Sequence, residues 1–173
     1  MSHGSNQYRS GRLPCPPVTP ELSLQQQLEW LLQTREIAAR DTADPDELNR
    51  MARDPEASVR AHVAGNRSTS PATLLLLARD PEPAVGYWAA CNRSTPPAAL
   101  QQLGDSPDDA VRFHVAGNCS TPLALLERLL RDSNPAVAEA AADNPGLPAA
   151  TRAMWQLTRP AKPARQRVAQ RPS

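Results

Sequence analysis

Aromatic side chains are scarce in this sequence. Its 173 residues include three tryptophans, two tyrosines and one phenylalanine. Large rings supply much of the buried area in compact cores, so their scarcity argues against a single core built on bulky side chains. Stacked layers of Leu, Val and Ala need no such core. We therefore expect a repetitive architecture.

Long apolar runs and targeting signals are also missing. The longest uninterrupted apolar run, Leu74 to Ala78, has five residues, whereas a transmembrane helix needs roughly 18. The stretch from Met1 to Tyr8 lacks the charged and apolar regions of a secretory signal. These absences predict a soluble protein that stays in the cytoplasm.

The three cysteines form no CxxC pair. Cys15, Cys91 and Cys119 are odd in number and far apart, which suits a reducing compartment better than a disulfide framework. Cys91 and Cys119 also have no neighbour at a recognised metal-ligand spacing. The cysteines thus agree with a cytoplasmic location and indicate no metal site.

Charge is unevenly distributed along the chain. Residues 21–157 hold 12 Lys/Arg and 18 Asp/Glu, a net charge of −6, while the whole sequence carries +1. Residues 158–173 hold five cations and no acid, and residues 1–20 hold Arg9 and Arg12 and no acid. We expect a Pro/Ser/Gly-rich disordered leader over 1–20 and a basic disordered tail over 158–173.

Between these ends the sequence repeats itself every 26 residues. Val59, Val85, Val111 and Val137 keep this spacing, and so do the asparagines, which are Asn66, Asn92, Asn118 and Asn144. A fixed period of this length is typical of stacked repeat proteins. The repeat, rather than any single motif, therefore organises the chain.

Each unit is predicted to hold two short helices. The first carries apolar residues three apart, one helical turn, as in Leu74 and Leu77. We expect Thr69, Thr95 and Thr121 to be its N-caps, with proline in the first helical position of most units. The second helix is expected to begin at Asp-Pro-Glu, as at Asp80, and to bury the valine ladder.

Two other repeat architectures fit less well. A leucine-rich repeat would place a strand before each asparagine and so bury Glu139, while leaving the valines outside. HEAT and armadillo units need about 40–47 residues. A 26-residue unit has room for two short helices only.

The repeated pattern Thr-Pro-x-x-x-Leu-x-x-Leu-x-x-Asp-Pro-x-x-x-Val-Arg-x-x-Val-Ala-x-Asn resembles the bacterial leucine-rich repeat variant family over residues 45–157. The resemblance implies a right-handed solenoid of alternating α and 3₁₀ helices, a scaffold without catalytic residues. In one known arrangement such repeats follow a cysteine-rich iron–sulfur segment. Cys15 stands alone, so we expect no such segment and no cofactor.

Helical caps should close both ends of an all-α solenoid of about four repeats. Residues 21–44 form the predicted amino-terminal cap, in which Leu24, Leu28, Leu31, Leu32 and Ile37 fall on one helical stripe. Its end, Ile37 to Arg40, lies 26 residues before Val63 to Asn66. At the other end Met154, Trp155 and Leu157 are expected to cover the last layer.

The polar ladders have mainly structural interpretations. The asparagines are expected to end helices in the left-handed conformation and to satisfy backbone groups between stacked turns. The arginine columns are expected to form solvated or inter-repeat ion pairs with nearby acids. They comprise Arg53, Arg79 and Arg131, then Arg67 and Arg93, then Arg60 and Arg112.

Bulky residues interrupt otherwise small positions and provide the candidate contact set. They are Arg60, His62, Tyr87, Trp88, Arg112, Phe113 and His114. Aromatic and arginine side chains are favoured in interface hot spots, although partial burial between repeats is the plainer interpretation. His62 and His114 stand two repeats apart, near 20 Å at the usual 8–10 Å helix spacing, which excludes a shared metal ion.

No catalytic motif accompanies these ladders. The sequence lacks a Gly-x-Ser-x-Gly elbow, a phosphate-binding glycine loop and a paired His-Glu motif. We predict a non-enzymatic scaffold that binds another protein along one face of the solenoid. The alternative is a nucleic-acid-binding solenoid using the arginine columns and the basic tail, which the net charge of −6 over residues 21–157 disfavours.

Overall fold

The computed structural model describes residues 23–158, and the predicted leader and all but one residue of the basic tail lie outside them. Ten α-helices follow one another in this range: α1 (Leu24–Asp41), α2 (Pro45–Met51), α3 (Ala57–Gly65), α4 (Pro71–Leu77), α5 (Pro83–Cys91), α6 (Pro97–Leu103), α7 (Asp109–Gly117), α8 (Leu123–Leu129), α9 (Pro135–Asp143) and α10 (Ala149–Thr158). The described residues contain no strand. The predicted all-α class is confirmed.

Short and long helices alternate after α1. Each repeat pairs a seven-residue helix with a nine-residue helix, as in α4 and α5. The long helices pack side by side in chain order, from α1 through α3, α5 and α7 to α9. The short helices pack against the long helices of their own and adjacent repeats. This sequential stacking is the predicted helical solenoid.

The apolar ladders form the core as the periodicity predicts. The valine ladder is buried, and so is the leucine ladder of the short helices, which comprises Leu48, Leu74, Leu100 and Leu126. Alanines fill the narrow gaps between long helices, including Ala64, Ala90 and Ala116, each fully buried. Small residues let neighbouring backbones approach closely, so the core needs few large side chains.

Both helices of a repeat are α-helical, which corrects the alternation of α and 3₁₀ helices implied by the resemblance. Tight 3₁₀-type bonds appear where a short helix ends. The amide of Asp80 donates to the carbonyl of Leu77, and that of Arg79 to Leu76, both at 3.1 Å. The last turn tightens because helix ends commonly satisfy their free carbonyls in this way.

The threonines that recur in each repeat are not helix N-caps. Ser70, Pro96 and Pro122 hold that position, and each threonine lies one residue earlier. There the hydroxyl is buried and donates to a carbonyl six residues back, as from Thr95 to Ala89 at 2.6 Å. The threonine thus closes the preceding helix, because its donor satisfies a carbonyl that the helix leaves free.

The aspartates of the Asp-Pro-Glu motifs, Asp54 and Asp80, are not caps either, whereas Asp108 does cap α7. The amide of Glu82 donates to Oδ1 of Asp80 at 3.0 Å, an Asx turn, and Glu82 itself occupies the N-cap position without a side-chain bond. The helix therefore begins two to three residues later than the sequence suggested. Because Asp80 does not cap the helix, both of its carboxylate oxygens can accept hydrogen bonds from Arg60 of the preceding repeat.

The amino-terminal cap differs from its prediction. Leu24, Leu28, Leu31 and Ile37 are exposed, and of the predicted stripe Leu32 alone packs on the core. Ala39, fully buried, occupies the place of Ala64, so α1 is displaced by one residue from the 26-residue register. The spacing correctly predicted a helix, but no repeat precedes α1 within the described residues, so nothing among them covers the apolar stripe.

The carboxyl-terminal cap is carried by Trp155 rather than by all three predicted residues. Trp155 packs on the core and donates its indole N–H to the carbonyl of Leu130 at 3.0 Å. Met154 and Leu157 remain exposed. Both lie on a face of α10 that no other described helix covers.

Candidate protein-binding face

The asparagine ladder tethers each repeat to the one before it. Asn118 donates from Nδ2 to the carbonyls of Ala90 at 2.7 Å and Asn92 at 3.0 Å, while its Oδ1 accepts from the amide of Ser120. Asn92 and Asn144 repeat this arrangement one unit earlier and one unit later. All of these amides are buried, so the ladder is structural.

The backbone conformation of these asparagines contradicts the prediction that they end helices in the left-handed region. Asn92 has φ −74° and ψ 126°, which is extended, and its neighbours in the ladder are similar. None of the four adopts the left-handed conformation at the helix end. Their role is to satisfy backbone groups between turns, because a buried amide must pair its donors and acceptor.

Two arginines of the candidate contact set form ion pairs between repeats. Arg60 grips Asp80 through Nε and Nη2 at 2.6 and 3.0 Å, and donates from Nη1 to the carbonyl of Asp54. Arg112 does the same with Asp132 and the carbonyl of Ser106. We call each such arginine–aspartate pair a clamp, and both confirm the interpretation as inter-repeat ion pairs.

The clamps are missing at one joint. Gly86 stands where Arg60 and Arg112 stand in their repeats, and Ser106 stands where their aspartates do. Both partners are thus replaced together at the joint between α5 and α7. The sequence displays this paired replacement, which is the signal from which the clamps could have been predicted.

Four of the predicted contact residues meet on α5 and α7. Tyr87 lies edge-on to Trp88 and to His114, with ring centroids 5.4 and 4.4 Å apart, and Phe113 lies edge-on to His114 at 5.3 Å. We call this four-ring group the aromatic cluster. It spans the joint that lacks a clamp, so edge-to-face ring contacts replace the ion pair there.

The cluster is partly open to solvent. Trp88 is 48% exposed and Phe113 is 41% exposed, while Tyr87 and His114 are half-buried. Burial lowers the pKa of His114 below its ordinary value, because the imidazolium would lose water there. His114 is therefore mainly neutral at pH 7, and the cluster is an uncharged aromatic surface.

His62 does not join the cluster. Its Nδ1 donates to the carbonyl of Ser58 at 2.8 Å within α3. No ring contact connects it to the four rings of α5 and α7 among residues 23–158. The structure therefore brings together Tyr87, Trp88, Phe113 and His114, and leaves His62, Arg60 and Arg112 apart from them.

A depression of about 290 Å³ lies beside the cluster. Its lining includes Cys91, Arg93, Phe113, His114, Gly117 and Cys119. Its volume is at the lower limit for small-molecule sites, so it suits one side chain better than a cofactor. The sequence placed Cys91 and Cys119 in different phases of the repeat and gave no sign that they share this depression.

The depression offers little chemistry for catalysis. Burial raises the pKa of the Cys91 thiol, although a hydrogen bond with Tyr87 opposes this, so the thiol stays protonated near neutral pH. Across the described helices and turns, no three His, Cys, Asp or Glu side chains converge to hold a metal ion.

Comparison with known proteins agrees with the repeat architecture. Residues 57–82 match the family model described as leucine rich repeat variant. The match begins at the first residue of α3 and ends at the N-cap of α5, so it covers one 26-residue repeat. It confirms the resemblance. No curated protein and no solved structure matches the chain.

None of the helices within residues 23–158 is both long enough and apolar enough to cross a bilayer.

Proposed function

We propose that this chain is a non-enzymatic cytoplasmic scaffold that binds another protein through the aromatic cluster of α5 and α7. The observation that carries the proposal is the exposure of Trp88 and Phe113. A chain with six aromatic residues displays two of them side by side with half-buried Tyr87 and His114.

Rings of this kind can supply most of the energy of an interface. Fully burying a large apolar side chain contributes roughly 1.5–3 kcal/mol, and a little under half of the surface of Trp88 and of Phe113 remains to be covered. Such residues dominate interface hot spots when they cluster and exclude water together. Two exposed rings backed by two half-buried ones therefore form the centre of the proposed interface.

The scaffold holds the cluster in place before binding. Asn92 and Asn118 fix the turns that follow α5 and α7, and the threonine hydroxyls close the same helices. Every buried side-chain polar atom of the described residues has a partner. A rigid surface loses little conformational entropy on binding, which favours affinity.

The nucleic-acid alternative has less support from the structure. Arg60 and Arg112 are committed to their clamps. Of the remaining columns, Arg53 and Arg79 follow the short helices, whereas Arg67 and Arg93 follow the long ones. They do not form one continuous cationic surface, and such a surface is what nonspecific nucleic-acid affinity needs.

Affinity capture with matched variants tests the proposal. Wild-type chain and the Trp88→Ser/Phe113→Ser variant are immobilised, exposed to the same cell extract, and the retained proteins are quantified by mass spectrometry. The control variant, Leu76→Ser/Leu123→Ser, removes two comparably exposed apolar side chains from the short helices. We expect a set of proteins retained by wild type and control and at least about tenfold depleted with the cluster variant.

A different pattern would contradict the proposal. Equal retention by wild type and cluster variant, or equal losses from both variants, would show that the aromatic cluster is not the binding surface. Circular dichroism spectra of the three chains establish that the helical repeat is intact in each. Because Trp88 and Phe113 are surface residues, we expect both variants to fold.

A further inference from the structure

The ring of Trp88 packs against the preceding long helix in the row formed by α1, α3, α5, α7 and α9. A Cβ added to Gly65 would lie 3.3 Å from Cε3 of the Trp88 indole, so the ring of one repeat covers the glycine at the end of the preceding long helix. The absence of a side chain at Gly65 makes room for the indole. The joint between α3 and α5 therefore contains a position, which we call a seat, where a glycine leaves room for an aromatic ring of the next long helix.

In the next two joints the residue at the Trp88 position is smaller than tryptophan. Between α5 and α7 the smaller His114 stands at the Trp88 position and Cys91 at the Gly65 position. Between α7 and α9, Ala140 stands opposite Gly117, and a Cβ on Gly117 would meet no neighbouring atom within 4 Å. Cys91, His114 and Gly117 all line the depression described above.

Unpaired positive charge borders this depression on one side. Arg93 lines it, and Arg67 holds the same position one repeat earlier, beside the Trp88 seat. Both side chains are exposed, and neither forms an ion pair with any residue in the described range 23–158. Most other arginines of the long-helix row, such as Arg60 and Arg112, already have acidic partners.

We propose that the depression between His114 and Gly117 receives an aromatic side chain of the partner protein, whose adjacent acidic residues pair with Arg93 and Arg67. The inference rests on the proposed function and adds the chemistry of the partner segment. The ring would occupy the open position as Trp88 occupies its own seat over Gly65. The acids would supply the counter-charge that the chain itself does not provide.

The surroundings favour this occupant over others. Phe113 and His114 offer ring edges and faces for an aromatic guest, which edge-to-face and offset contacts reward beyond simple burial. A basic segment would place its charge against Arg93 and be disfavoured. A small aliphatic side chain would leave part of the 290 Å³ depression unfilled.

The test is selection from a library of random 12-residue peptides displayed on phage, with the whole chain as target. Selected peptides are then synthesised, and their Kd values are measured by fluorescence polarisation. We expect enrichment of Trp, Phe or Tyr next to Asp or Glu. Replacing the selected aromatic residue by Ala should weaken binding at least about tenfold, and replacing the acids by Lys should do so about fivefold or more.

A variant that fills the seat from within tests the position. Ala140→Trp should place an indole over Gly117 as Trp88 lies over Gly65, and so weaken peptide binding at least about tenfold without loss of helical content. Ala98→Trp, on the exposed side of α6, is the matched control and should bind as wild type does. Unchanged binding to Ala140→Trp would overturn the inference.

A second variant keeps the inference falsifiable if Ala140→Trp does not fold. Arg93→Glu should weaken binding of acidic peptides about fivefold and improve binding of their Lys-substituted versions. Selected peptides without the aromatic and acidic signature, or no enrichment at all, would refute it. If such peptides still lose affinity for Trp88→Ser/Phe113→Ser, the proposed function stands while this inference fails.

Discussion

At the scale of single residues, asparagine does what the main chain cannot do between stacked repeats. The Asn118 amide joins two carbonyls of the preceding repeat to an amide of its own turn. Helix ends leave such groups free, and here they lie where water has no access. One side chain per repeat therefore satisfies three backbone groups.

Arg152 ends this ladder. It donates from Nε to the carbonyl of Ala142 at 2.7 Å and from Nη2 to that of Asn144 at 3.0 Å. In earlier repeats the next asparagine takes the equivalent carbonyls, as Asn144 does for Ala116 and Asn118. An arginine at a leucine position thus replaces the amide that a further repeat would supply.

Asn118→Ala should lower the free energy of unfolding by about 2–4 kcal/mol, because two buried carbonyls and one amide lose their partner. Asn118→Asp should cost more at pH 7, since it sets a carboxylate against those carbonyls. Urea denaturation followed by circular dichroism measures both. Ser120→Ala is a suitable control. A loss below about 0.5 kcal/mol for Asn118→Ala would show that the ladder contributes little stability.

At the scale of elements, the two clamps hold α3 and α7 to the turn of the next repeat. The side chains of Arg112 and Asp132 are 15% and 8% exposed. The Arg112 guanidinium, helped by the amide of Asn134 and opposed by burial, holds the pKa of Asp132 below its ordinary value. Such a bidentate, partly buried pair is stronger than an ordinary surface ion pair.

A double-mutant cycle with Arg112→Gln and Asp132→Asn should give a coupling free energy of about 1–3 kcal/mol at pH 7. Because the folded-state pKa of Asp132 is depressed, this stabilisation is present above the unfolded pKa of about 4. It is lost as the pH falls through the folded-state value. Urea unfolding at pH 7 and pH 3 measures it, and equal coupling at both would contradict the clamp.

At the scale of the whole molecule, the joint between α5 and α7 differs from its neighbours. It has rings in place of the clamp, with Gly86 and Ser106 at the clamp positions. Stability in stacked repeats is approximately a sum of terms for each repeat and each neighbouring interface. A weaker interface in the middle should therefore let the two parts of the stack open separately.

Gly86→Arg with Ser106→Asp should install the missing clamp and couple the two parts. We expect a steeper urea transition and slower amide hydrogen exchange across α5 and α7 than in wild type. Gly86→Arg alone should destabilise, because it adds a charge without a partner beside Leu103. An unchanged slope and unchanged exchange for the double variant would show that the joint is already as strong as the others.

The 26-residue period by itself determined the architecture. It specified two helices per unit, the Leu, Val and Ala positions of the core, and the asparagine column, because local periodicity dictates which face of each helix is apolar. It also marked Tyr87, Trp88, Phe113 and His114 as bulky exceptions. These are properties of neighbouring residues, which a sequence displays directly.

The tertiary structure alone decided which of these residues meet. It committed Arg60 and Arg112 to aspartates 20 residues away, left the α1 leucines uncovered, and placed Gly117 and Cys119 beside the aromatic cluster. Such outcomes depend on the offset between stacked repeats and on side-chain size at one joint. Since every repeat has the same local pattern, only the packing of one repeat against the next shows that the space at Gly65 is covered by a ring while the space at Gly117 is open.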